Sequence, residues 1–112
     1  MMAKAQAQEV EEMFEYVGDM PIKNNWGSMH IKFQTNENAL YILLPKNNTY
    51  IKDIVINVWE NKYAFMSCNK EATGGAWVER NYTLSDGMVD FTVKIGESKT
   101  ETVDFEVYKR SL

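Results

Sequence analysis

Cys68 and His30 are the only cysteine and the only histidine in the chain. A thiol becomes a nucleophile when a base holds it as thiolate, so this is the one Cys–His combination on offer. Alternation within "SMHIKFQ" (28–34) puts His30 on the outer, polar side of a strand, while Cys68 follows Ala64 and Met66 on an apolar face. The two are expected apart, with Cys68 packed as a small apolar side chain. One Cys and one His also fall short of a zinc site, which takes several such ligands at defined spacing. No calcium loop of the D-x-[DN]-x-[DN]-G type occurs.

The stretch "CNKEATGGAWVERNY" (68–82) holds Gly74 and Gly75, but it matches neither the phosphate-cradling GxxxxGK[ST] nor the dinucleotide GxGxxG. Paired carboxylates would serve a glycosidase. Glu79, Asp86 and Asp90 are candidates by type, yet nothing in their spacing sets two across a cleft, and solvated surface is the expectation. The residues therefore call for no enzyme, no cofactor and no metal.

Binding chemistry has better candidates. Glu11, Glu15 and Asp19 recur every four residues, with Glu12 beside them. On a helix they would form one acidic stripe near a C-terminus, where the macrodipole is already negative and like charges at i, i+4 repel. A basic partner surface would offset that cost, and so would an intramolecular neighbour such as Lys23. Trp77, Arg80 and Tyr82 follow the glycines and form the second group. An exposed tryptophan there would anchor a protein interface or stack on a sugar; the competing reading is a tryptophan plugging the end of the core. Ala3 and Ala7 form the third group, small enough to let another backbone approach.

The elements that would position these residues follow from periodicity. Ala3, Ala7, Val10, Met13, Phe14 and Val17 fit the i, i+3, i+4, i+7 spacing of a helix over 3–18, with Gly18 past its end and Pro21 beyond. From residue 28 to 108 the period is two. Strands are expected at 28–34, 39–44, 49–59, 63–68, 76–84, 88–95 and 102–108, joined by short polar turns such as "TNEN" and "SDG". In the last two, Val89, Phe91, Val93 and Ile95, then Val103, Phe105 and Val107, face one way. Segments 39–44 and 63–68 are apolar on both faces. The expected fold is α+β: one domain over 1–112, an N-terminal amphipathic helix and a six- to seven-stranded, mainly antiparallel sheet forming a meander, roll or small sandwich.

Bulk properties narrow the function classes. The net charge is −4, which opposes the counterion-displacing binding that nucleic acids require. No apolar run reaches the length of a membrane helix, and "MMAKAQAQEVEE" lacks the apolar core of a signal peptide. A lone cysteine fits a reducing compartment. The expectation is an intracellular protein or a virion component with no membrane partner. Ten lysines against two arginines, with abundant asparagine, suggest AT-rich coding and hence a low-GC bacterium or its phage.

One helix cannot cover so many two-sided apolar strands, and uncovered apolar surface usually marks an interface. The leading expectation is a non-enzymatic interaction protein, a small structural or accessory subunit of a larger assembly such as a phage or viral particle, with self-association included. The contacts would fall at Ala3, Ala7, Glu11, Glu15, Asp19, Trp77, Arg80 and Tyr82. Two alternatives are a small inhibitor of a host protein, its acidic helix mimicking nucleic-acid charge, and a carbohydrate-binding module built on Trp77 and Tyr82.

Overall fold

The structure is a computed structural model that describes residues 13–35, 38–47, 51–59, 63–70, 76–78, 83–85, 87–96 and 99–111, with the side chains of 59–86 excepted. Period-two alternation governs nearly all of it. The strands are β1 (Glu15–Asn25), β2 (Ser28–Gln34), β3 (Ala39–Pro45), β4 (Ile51–Trp59), β5 (Tyr63–Lys70), β6 (Ala76–Val78), β7 (Thr83–Ser85), β8 (Met88–Ile95) and β9 (Glu101–Ser111). They form one antiparallel sheet in the order β5-β4-β3-β9-β1-β2-β8-β6, with β7 also paired to β8. The end strand β5 lies alongside β6 and β7, so the sheet rolls into a nearly closed barrel.

Rolling explains the core. Met29, Ile31, Tyr41, Leu43, Ile54, Ile56, Val89, Phe91, Val93, Val103 and Phe105 point inward and are buried in one cluster. Each is the apolar member of an alternating strand, so a single inward face collects them. A second, smaller cluster sits outside the barrel, where Phe14 and Ile42 pack on Leu44 and Tyr108. The Tyr16 and Tyr108 rings are 5.4 Å apart there, and the Arg110 guanidinium lies 5.3 Å from the Phe14 ring centre.

This architecture corrects the α+β expectation. No helical element occurs among the described residues, and residues 15–18, the last turn of the expected helix, open β1 instead. Tyr16, Asp19, Met20, Pro21 and Ile22 pair in turn with Tyr108, Glu106, Phe105, Asp104 and Val103 of β9. Residues 3–12 of the expected helix lie outside the described residues; between them and β1, Met13 has helical backbone and Phe14 forms a bend. Among the described residues nine strands replace six to seven, and the sheet begins at residue 15 rather than 28. Neither meander nor sandwich fits, because β9, last in sequence, inserts between β3 and β1. The premise that apolar sheet must await an outside cover also fails for the inner face: the sheet covers that face by closing on itself.

Two local expectations change as well. Simple alternation puts Ile51 and Ile54 on opposite faces, but a register irregularity between Ile51 and Asp53 brings both into the core. The strand expected over 76–84 is two short strands, both paired to β8. Val78 opposes Val93 and Thr83 opposes Asp90.

Pro21 stands in mid-strand without losing a ladder bond to β9. The N–H of Asp104, its partner on β9, donates to Asn47 Oδ1 at 2.9 Å, and its C=O accepts from Lys46 N at 2.8 Å. Both main-chain groups of Asp104 thus face β3. Pro21 and Asp104 form a non-hydrogen-bonded pair, and the proline nitrogen points away from β9 toward β2.

Candidate functional site

β1 and β2 begin as a tight hairpin. Asn25-Trp26-Gly27-Ser28 makes a two-residue turn with φ of 55° at Trp26 and 91° at Gly27, the pattern of a type I′ turn that matches strand twist. Asn24 is buried inside the barrel end, and its Oδ1 accepts the Gly27 N–H at 2.9 Å. Trp26 is 73% exposed at the tip.

Pairing then stops. Asn25 opposes Ser28 and Asn24 opposes Met29, and no further ladder pair joins β1 to β2 among the described residues. Beyond this point β1 stays on β9 as far as Glu15, and β2 stays on β8 as far as Gln34. Pro21 has no N–H to offer across the gap, which is one physical reason the seam does not zip. A second lies further along β1, where the register shifts between Tyr16 and Gly18 and Gly18 takes a φ of 149°.

The splayed seam opens a cleft of about 280 Å³. Val17 and Met20 from β1, Phe33 from β2, Tyr41 from β3 and Val107 from β9 supply apolar walls, while Asp19, Gln34 and Lys109 supply polar rim. The floor is held in place: the Tyr41 hydroxyl donates to Thr35 Oγ1 at 2.8 Å, and the Phe33 and Tyr41 rings meet edge to face at 5.1 Å. The Thr35 N–H in turn donates to the Gly87 C=O. Val17 is 54% exposed on the lip. Beside it Tyr16, also exposed, lines a second hollow of about 240 Å³ with Phe14, Glu106 and Tyr108 on the outer face. Exposed Met13 continues this apolar run.

A three-residue polar network borders the cleft. Asp19 accepts from the Tyr16 hydroxyl at 2.5 Å and from Lys46 Nζ at 3.1 Å. The Tyr16 hydrogen bond first, and Lys46 second, hold the Asp19 carboxyl below its ordinary range. The same bond to Asp19 raises the Tyr16 phenol, and Asp19 likewise raises Lys46. Asp19 is thereby engaged within the chain.

Of the expected site residues, Glu15, Asp19 and the backbone of Trp77 are among the described residues. Asp19 borders the cleft, and Glu15 is exposed and paired with Lys109 on β9, so these two acids lie on a strand and not on a helix. The neighbour that compensates Asp19 is Lys46 rather than Lys23. Trp77 is registered opposite Lys94 of β8; its side chain, and Ala3, Ala7, Glu11, Arg80 and Tyr82, lie outside the described residues. Cys68 is registered opposite Ile54 on β4 and His30 opposite Thr92 on β8. His30 Nε2 contacts Asp90 Oδ1 on the outer face. The seam itself was not foreseen. Pro21 was its one signal in the sequence, and the helical spacing that precedes it masked that meaning. No protein-family model, curated protein or solved structure matches the chain.

Proposed function

We propose that the chain is a non-enzymatic protein-binding protein that engages its partner at the open β1–β2 seam. One observation carries the reading: the seam opens onto apolar walls, and Val17 stands half exposed at its lip. Exposed apolar side chains beside a concave apolar surface are the usual anatomy of a protein contact. The cleft is just below the volume range of small-molecule pockets and open on one side, which favours side chains of a partner over a cofactor. An accessory subunit of a larger assembly, a phage or viral particle included, is the setting this reading fits.

The test compares the wild type with V17D and with T100D, an exposed substitution away from the seam. Affinity capture from the source cell, with light scattering for self-association, should give a partner or oligomer that V17D loses and T100D keeps. Identical behaviour of all three chains, with unchanged circular dichroism, would remove the seam as the contact.

A carbohydrate platform is the second reading. Its supporting observation is Trp26, whose indole is exposed at a hairpin tip and has the flat apolar face that sugars stack on. Tryptophan emission unchanged across a glycan panel would end it.

A further inference from the structure

The main-chain geometry of the seam specifies the occupant more narrowly than its apolar walls do. Ile95 N donates to the Gly27 C=O at 2.9 Å, which fixes which residues of β2 turn their main chain toward β8. Gly27 and, by alternation, Met29, Ile31 and Phe33 do so. Lys32 and Gln34 therefore turn their N–H and C=O groups toward the seam, where β2 has no ladder partner among the described residues. Across the gap, Asp19 and Pro21 face the same space, with Pro21 contributing only its C=O. The slot is thus bordered by one edge with both donors and acceptors, on β2, and one edge blunted by proline, on β1.

Two cations flank the slot, and Asp90 of β8, registered opposite Lys32, is already in contact with His30. Lys23 and Lys32 are exposed on the two strands, and neither forms an ion pair within the described residues. The acid on the lip, Asp19, is already held by Lys46 and Tyr16. The inner side is apolar, through Met20 and Phe33. An occupant that satisfies all of this is extended, has apolar residues at every second position and acids between them.

We propose that the slot takes an extended segment of a partner protein, added as a strand along the β2 edge, its apolar side chains entering the cleft and its acidic side chains facing Lys23 and Lys32. The inference rests on the seam being the contact surface and adds the chemistry of what binds there. Backbone hydrogen bonds supply the docking, and alternate side chains supply the selectivity. Pro21 keeps β1 from closing the slot in the free chain. Two β2 edges paired about Lys32 would set that residue against its own copy, so like charge disfavours that register and favours an acidic partner.

The experiment is a selection of random octapeptides, displayed on phage, against the intact chain, followed by amide exchange on the complexes. Strand addition predicts recovered peptides that alternate apolar and acidic residues and slow exchange at Lys32 and Gln34 at least tenfold. It also predicts at least tenfold weaker binding to K32E, a surface change that leaves the core untouched. N-methylating alternate peptide amides should abolish binding in one register and spare it in the other. If peptides methylated in either register bind as well as the parent, while V17D still blocks them, strand addition is overturned and seam binding by side chains stands. Recovery of no binder, or of binders that protect only amides outside the seam, overturns the proposal outright.

Discussion

The side-chain amide of Asn47 takes the place of a strand residue opposite Asp104. Its Oδ1 accepts the Asp104 N–H at 2.9 Å and its Nδ2 donates to the Thr102 C=O at 3.0 Å. β3 ends at Pro45, so this amide carries the pairing of β9 past the end of its neighbour. It also turns the main chain of Asp104 toward β3, which sets Pro21 facing the seam. Replacing Asn47 by alanine removes both bonds at an exposed position and should cost about 1–2 kcal/mol. N47D keeps the acceptor and loses the donor, so its loss should be intermediate. Urea denaturation of the three chains measures this; an N47A chain as stable as the wild type would show the amide to be ornamental.

Trp26 occupies a left-handed backbone position that glycine and asparagine adopt far more readily. Its φ is 55°, and its indole is mostly exposed, so little burial offsets the strain. W26N should therefore stabilise the chain by about 0.5–1 kcal/mol. The rise in denaturation midpoint is the readout. A fall would mean that the indole packs on something that compensates for the turn.

Gly18 separates two causes of glycine intolerance. A Cβ built there meets no atom within 4 Å, yet its φ of 149° lies outside the range of other residues. G18A should cost about 1–3 kcal/mol through the backbone alone. Because the bulge at Gly18 shapes the cleft, amide exchange at Asp19 and Met20 should quicken in the same variant. Neutral stability would show that the bulge relaxes into ordinary strand geometry.

Strands 88–95 and 102–108 were legible because each alternates cleanly, and the core confirms Val89, Phe91, Val93, Val103 and Phe105 as inward. The first strand was not. Met13, Phe14 and Val17 satisfy helical spacing, while the inward set Met20 and Ile22 is too short to declare a period of two. Phe14 packs on Leu44 and Tyr108 instead of on a helical neighbour's face. Tyr108 shows the same limit from the other side. It follows inward Val107 and points outward, yet it is 2% exposed because the outer cluster covers it. The insertion of β9 between β3 and β1 joins segments far apart in the chain, and no local pattern encodes such a pairing. The seam depends on that pairing and on where it stops, so it was readable only once the register was known.

Tyr16, Asp19 and Lys46 predict a pH profile with two ends. Asp19 is held below its ordinary value of 3.8, first by the Tyr16 hydroxyl and then by Lys46. A carboxylate depressed in the folded state stabilises it above the unfolded value, and that contribution is lost as pH falls through the lowered one. Tyr16 is raised above 10.0 and Lys46 above 10.5, each chiefly by its bond to Asp19. Groups raised in the folded state contribute below their unfolded values and lose the contribution as pH rises through the folded ones. The stability difference between wild type and D19N should thus be flat from about pH 5 to about pH 9 and shrink on both sides. All three groups are exposed, so the plateau should be small and should shrink in high salt. Tyrosine absorbance near the alkaline end gives the independent check: one phenol that ionises late in the wild type should ionise with the ordinary ones in D19N. A titration curve identical in both chains would show that Tyr16 and Asp19 do not hold this bond in solution.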